Sequence, residues 1–167
     1  MSHCIQAFIG REAEMALLAG RYRNAQVVSL RQKFALLLLT EDLFDELAVT
    51  SDDHQNVRDD RFLYLCSRTI RVAKFFSLKT PVAYVETDYF GGIGSQGAAV
   101  WANGELIFGP TVSASREGWA DDHSGAVINI ALQRIGVTKD GCSDEFEAIG
   151  LGTYRSNQDW LKNQKDL

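Results

Sequence analysis

The stretch from Tyr84 to Pro110, YVETDYFGGIGSQGAAVWANGELIFGP, decides the fold of this chain. It holds three runs of β-forming residues, separated by a glycine-rich segment and by Asn103-Gly104. An Asn-Gly pair between such runs is the strongest short signal for a two-residue hairpin, because both central positions of its turn need a positive φ. The stretch therefore predicts a three-stranded meander. The residue pairs that this turn would set opposite each other are Trp101 with Leu106 and Ala99 with Phe108.

The segments around the meander predict further strands and helices. Apolar runs at 5–9, 26–30 and 34–39 predict strands, and apolar residues spaced three and four apart predict helices over about 61–78 and 124–135. Shorter helices are predicted over 11–19, 41–48 and 144–149 and around Trp160. Since no repeat or linker divides the chain, we expect one α+β domain over residues 1–167. Its sheet should be mixed or mostly antiparallel, with about five to six strands and a central meander at about 82–109 packed by the two longer helices.

The amino-acid composition limits the classes of function that this protein can have. Of the 167 residues, 46% are hydrophobic and 23% are charged, which is typical of a globular domain. The net charge of −5 argues against general nucleic-acid binding. Three cysteines without a Cys-x-x-Cys spacing indicate free thiols in a reducing compartment. With no signal-peptide pattern and no long apolar run, we expect a cytoplasmic protein that binds neither nucleic acid nor membrane and needs no cofactor or metal.

Acidic residues are concentrated between residues 41 and 60, where eight of them accompany a single Arg58. Such a run is usually a solvated helix face and loop. The alternative is an acidic surface for a basic protein partner, because complementary potentials speed association and set specificity. The residues that we take as candidate contacts for such a partner are Asp52, Asp53, Asp59 and Asp60.

Gly92, Gly94 and Gly97 form a literal Gly-x-Gly-x-x-Gly pattern. Dinucleotide binding would require a helix to follow, so that its N-terminus faces the pyrophosphate, but a strand and a hairpin follow here. A kinase-type loop would require His-Arg-Asp and Asp-Phe-Gly motifs downstream, and the sequence has neither. The segment is therefore either a hairpin loop whose glycines supply positive φ, or a flap whose amides contact a ligand or partner.

Glu86 and Asp88 fall on one face of the strand that precedes the glycines. Two carboxylates at this spacing could perform acid/base chemistry or hold a hard cation. They could equally face solvent or pair with the basic back of the helix predicted at 61–78. The sequence shows no third metal ligand, companion base or nucleophile motif, so we assign no catalytic residue. The residues of the candidate ligand or partner loop are Glu86, Asp88, Tyr89, Gly91, Gly92, Gly94 and Gln96.

The segment YFGGIGSQ at 89–96, the following Ala99-Val100-Trp101, and segments within 128–137 and 144–152 resemble a group of small bacterial proteins of uncharacterised function that share this loop. The resemblance covers most of the chain. It implies a bacterial cytosolic protein, and some small acidic proteins of this kind are similar to the antidotes or immunity proteins of toxin systems. It supplies no catalytic residues.

Two hypotheses follow. The first is a protein-binding module that recognises a basic partner through the acidic segment and the glycine loop, as an immunity or antidote protein would. The second is a small hydrolase or ligand-binding protein in which Glu86, Asp88 and Gln96 surround a pocket. The side on which each of these three side chains lies separates the two hypotheses.

Overall fold

The computed structural model describes residues 2–49, 57–90, 93–115 and 126–163. Within these ranges the chain forms six strands, six α-helices and a short 3₁₀ turn at Arg31–Lys33. The strands are β1 (His3–Arg11), β2 (Gln26–Ser29), β3 (Phe34–Leu38), β4 (Val82–Phe90), β5 (Ile93–Ala102) and β6 (Glu105–Ser115). The α-helices are α1 (Glu12–Ala19), α2 (Glu41–Val49), α3 (Ser67–Phe76), α4 (Val127–Arg134), α5 (Glu145–Ala148) and α6 (Asn157–Lys162).

All described strands join one antiparallel sheet in the order β2-β3-β1-β4-β5-β6. The strands β4, β5 and β6 form the meander, which confirms the predicted α+β domain and its central hairpins. β1 lies between β3 and β4, so the first strand joins the N-terminal hairpin to the meander. No helix within the described ranges combines the length and apolar character needed to cross a bilayer.

Each face of the sheet carries its own hydrophobic core. On one side, which we call the α1–α3 face, apolar residues of α1, α2 and α3 pack against Phe8, Tyr84 and Trp101. On the other side, the α4–α6 face, residues of α4 and α6 pack against Ile9, Val85 and other strand residues. The alternation of a β-strand sends neighbouring side chains to opposite faces, so every central strand contributes to both cores.

The helix predicted over 61–78 begins later, at Ser67. The apolar period at Phe62 and Leu65 is real, since both side chains are buried, but residues 61–66 form a loop. The helix starts where the backbone N–H of Cys66 donates to the hydroxyl of Thr69 at 2.9 Å, in the manner of a capping box. The basic residues Arg68, Arg71 and Lys74 remain on α3 as predicted.

The Asn103-Gly104 turn has the predicted backbone, with φ of 53° and 80° at its two central residues. Trp101 pairs with Leu106 as expected. The pairing of Ala99 with Phe108 is wrong, because a register shift sets Val100 opposite Phe108. Phe108 consequently packs against the core of the α4–α6 face, and β6 forms an edge of the sheet.

Candidate functional site

The carboxylate of Glu86 holds the loop that precedes α3. Its two oxygens accept hydrogen bonds from the backbone N–H groups of Leu63 and Tyr64, at 2.7 and 2.8 Å. The hydroxyl of Tyr84 donates to the same carboxylate. Glu86 is only 9% exposed, and these donors compensate the burial of its charge. The carboxylate therefore serves as a structural anchor between the sheet and the loop, and its hydrogen-bonding capacity is largely used there.

Tyr84 supports this anchor from inside the core. Burial, and after it the charge of Glu86, raise the pKa of Tyr84 well above its ordinary value. The phenol therefore stays protonated at neutral pH and remains a donor. Its ring packs edge-on against Phe8, with the ring centroids 5.4 Å apart. The spacing of two places Tyr84 and Glu86 on one face of β4, and this is the sequence signal for the pair.

Close packing explains two glycines of the Gly-x-Gly-x-x-Gly pattern. A Cβ added at Gly97 would lie 2.3 Å from Cε1 of Phe62, whose ring covers this part of the hairpin. A Cβ added at Gly94 would lie 2.1 Å from the carbonyl oxygen of Asp88 on the neighbouring strand. At these two positions the glycines allow neighbouring groups to approach the strand closely.

Gln96 serves the opposite side of the sheet. It pairs with Thr87, so its side chain lies on the α4–α6 face. Its Nε2 donates to the hydroxyl of Tyr89 at 3.0 Å, and its Oε1 accepts from the backbone N–H of Ile128 at 3.1 Å. That N–H belongs to the first turn of α4, where backbone donors lack intrahelical partners. Gln96 thus fastens α4 to the meander, and it cannot line one concavity together with Glu86.

The end of the β4–β5 hairpin presents apolar surface. Phe90 and Ile93 pair with each other there and are 81% and 46% exposed. Asp88 is also exposed, and strand alternation directs it to the same side as Phe90, the α1–α3 face. Gly91 and Gly92, which sequence analysis placed in the candidate loop, lie outside the described residues. The hairpin end therefore combines two apolar side chains with a carboxylate.

Carboxylates also surround Tyr64 on the α1–α3 face. Burial raises the pKa of Tyr64, and the charges of Glu41 and Glu86 raise it further; Arg58 opposes them, and Asp45 adds to them. Glu41 and Asp45 are exposed residues of α2. We call Glu41, Asp45 and Glu86 around Tyr64 the acidic face.

The four residues expected to contact a partner have different positions. Asp59 accepts hydrogen bonds from the guanidinium of Arg61 at 2.9 and 2.7 Å, and this contact lowers the pKa of its carboxyl. Asp60 is exposed. Asp52 and Asp53 lie outside the described residues. Asp60 is therefore the one described member of the four whose charge is not shared with Arg61 in this way.

The described parts of the chain contain no group of three or more His, Cys, Asp or Glu side chains placed to hold a metal ion. The cysteines Cys4, Cys66 and Cys142 are free thiols. No protein-family model, curated protein or solved structure matches the chain.

Proposed function

We propose that this is a protein-binding module of the bacterial cytosol that recognises a basic partner protein. The observation that carries the proposal is Phe90, which is 81% exposed at the hairpin end, on the same side of the sheet as the acidic face. Ile93 extends this apolar surface, and Asp88 adjoins it. An aromatic contact bordered by charged groups is the usual composition of a protein interface.

The two parts of this surface have different tasks. Phe90 and Ile93 supply apolar area that a partner can bury, which contributes affinity. Glu41 and Asp45 supply a negative potential that attracts basic side chains and raises the association rate. Glu86 adds to that potential from its buried position, while its oxygens hold the backbone of Leu63 and Tyr64.

An antidote or immunity protein is the specific form of this function that the resemblance in sequence implies. Such a protein neutralises a toxin by covering its functional surface, and toxins that bind nucleic acid are usually basic. A net charge of −5 together with the acidic face suits that task. Residence in the cytosol is part of the same proposal.

Affinity capture with tagged variants tests the proposal. The tagged protein is incubated with a lysate of the source organism, and bound proteins are quantified by mass spectrometry. We expect a basic protein to be retained by the wild type and lost by Glu41→Lys/Asp45→Lys. Retention should also fall when the salt is raised to roughly 1 M, where the Debye length is about 3 Å. Phe90→Ala should weaken retention without removing the salt dependence.

A matched control separates the acidic face from net charge. The double variant Glu14→Lys/Glu105→Lys changes the net charge by the same amount, at positions on α1 and β6. It should retain the partner. Equal loss in both double variants would show that only the overall charge matters. If the wild type and Glu41→Lys/Asp45→Lys retain the same proteins in equal amounts, the acidic face is not a recognition surface.

A further inference from the structure

A basic pocket lies on the α1–α3 face, between the end of α1, the end of α2 and one side of α3. Its volume is about 280 Å³. Three arginines, two aromatic rings and two aliphatic side chains form its wall, which contrasts with the acidic character of the whole chain. The lining residues are Arg21, Tyr22, Leu47, Arg68, Arg71, Val72 and Phe75.

Four of the lining residues lie on one side of α3. Arg71 and Val72 lie three and four positions after Arg68, and Phe75 lies four and three positions after them, so the four residues form one stripe along α3. This stripe borders the side that enters the core through Ala73 and Phe76. The cationic back of α3 is therefore partly enclosed by α1 and α2 and does not simply face solvent.

Two contacts on the other wall order the pocket. The guanidinium carbon of Arg21 lies 4.6 Å from the centroid of the Phe75 ring, a cation–π arrangement. Tyr22 packs its ring against Phe76, with the centroids 6.4 Å apart. The nearby carboxylate of Glu46 accepts hydrogen bonds from the backbone N–H groups of Arg23 and Asn24, so it is held at the base of this turn.

Arg68 has a donor that needs an acceptor. Its Nε is buried and has no hydrogen-bond partner among the described residues. A buried N–H without an acceptor costs free energy, and this cost is higher for a charged group. A ligand oxygen placed in the pocket would satisfy this donor and would face guanidinium groups, which bind carboxylates and phosphates in a bidentate manner.

We propose that this pocket binds a small organic anion in which a phosphate or carboxylate is attached to a flat apolar ring. The anionic group is held by Arg68 and the neighbouring guanidinium groups, and the ring lies against Phe75, Tyr22 and Val72. The volume is just below the about 300 Å³ at which the usual range for small-molecule sites begins, so it suits a single ring. None of the lining residues belongs to the acidic face, so a ligand here is an addition to the proposed partner binding.

Calorimetric titration of the whole protein with simple probes tests the proposal. Phenyl phosphate and benzoate represent the two anionic groups, inorganic phosphate lacks the ring, and phenol lacks the charge. We expect one or both ring-bearing anions to bind at least about tenfold more tightly than inorganic phosphate and than phenol. The better of the two anions identifies the preferred anionic group.

Variants locate the binding site. Arg68→Gln should weaken the better probe about tenfold, because a charge-assisted hydrogen bond is lost. Arg134→Gln removes the same charge from an exposed position on α4, on the other face of the sheet, and should leave affinity unchanged. Circular dichroism shows whether each variant is folded. In the wild type, the Nε–Hε signal of Arg68 in a ¹H–¹⁵N spectrum should shift with the same apparent Kd, which gives a readout that needs no variant.

Three outcomes would overturn the proposal. The first is that none of the probes binds. The second is that phenol binds as tightly as the ring-bearing anions, because the guanidinium groups would then contribute nothing. The third is that Arg134→Gln weakens binding as much as Arg68→Gln, with no shift of the Arg68 Nε–Hε signal, because binding would then reflect general charge attraction.

Discussion

Glu86 and Gln96 belong to adjacent strands of one hairpin, yet their side chains lie on opposite faces of the sheet, since Glu86 pairs with Gly97 and Gln96 pairs with Thr87. Glu86 accepts from two backbone N–H groups of the loop before α3, and Gln96 accepts from one backbone N–H in the first turn of α4. The hairpin therefore connects both helical layers to the sheet through two side chains only ten positions apart in sequence.

We expect Glu86→Gln to destabilise the protein by about 1–3 kcal/mol, because the amide loses the charge that strengthens its bonds from Leu63 and Tyr64. The amide NH₂ would also face a backbone donor. Urea unfolding measures the change. Asp88→Asn, at an exposed position two residues along the same strand, is the control and should stay within about 0.5 kcal/mol of wild type. Equal effects of both substitutions would mean that the anchor contributes nothing beyond a surface carboxylate.

We expect Gly97→Ala to cost about 1–3 kcal/mol, because the new methyl group would overlap the ring of Phe62. A double-mutant cycle identifies the cause. In a Phe62→Leu background the same glycine substitution should cost less, since the smaller side chain vacates the space. Unfolding by urea gives all four free energies. Additive effects of the two substitutions would assign the glycine requirement to something other than this ring.

We expect Gln96→Ala to destabilise the protein by about 1 kcal/mol and to speed hydrogen exchange of the first amides of α4. Gln96→Glu should cost less, because a carboxylate still accepts from Ile128 and a negative charge is favourable near a helix N-terminus. The carboxylate of Gln96→Glu cannot donate to Tyr89, so this contact is kept only if the Tyr89 hydroxyl becomes the donor. If α4 exchanges at the wild-type rate in Gln96→Ala, the bond to Ile128 does not hold the helix.

The stability of the protein should depend on the protonation of His3. Burial chiefly lowers the pKa of His3 below its ordinary value of 6.5; the backbone of Leu151 opposes this, and the charge of Arg155 adds to it. Below that value the unfolded chain binds the proton more readily than the folded one. The contribution of His3 to the free energy of unfolding is therefore present above pH 6.5. It is lost as the pH falls towards the pKa that His3 has in the folded protein.

The variant His3→Gln isolates this effect. It retains a polar group near the hydroxyl of Thr87, which lies 2.8 Å from Nδ1 of His3, but it cannot titrate. Between neutral and mildly acidic pH, the wild type should lose more free energy of unfolding than the variant does. The other two histidines are present in both proteins and cancel. Parallel pH profiles would show that His3 has the same proton affinity in both states.

Local signals were sufficient to predict most of the secondary structure. Asn103-Gly104 predicted the turn because few residues adopt positive φ at two successive positions. The helix predicted around Trp160 is α6, and it begins after Ser156, whose hydroxyl accepts from the N–H of Asp159 at 3.1 Å. The alternating and three-to-four periods predicted the meander and its helices.

Long-range contacts decided the features that the sequence patterns missed. Residues 61–66 have a helical apolar period, but Glu86, more than twenty positions away, binds the backbone of Leu63 and Tyr64 in a loop. The shift between Val100 and Trp101 depends on how β6 fits its neighbour, and no local residue preference specifies it. The basic pocket likewise requires α1 and α2 to approach α3, so periodicity alone gave only its cationic stripe.

The two cores differ in the part of the chain that completes them. The buried residues of the α1–α3 core end at Trp101, whereas the α4–α6 core also needs residues from Val127 to Trp160. Since a chain leaves the ribosome from its N-terminus, the first core can assemble while the opposite side of the sheet is still bare. During synthesis, Ile9, Val85 and their neighbours on that side stay uncovered until α4 and α6 have been made. If elongation slows or stops between β6 and α4, the sheet would be covered on its α1–α3 face only. Its bare α4–α6 face would then be prone to aggregation.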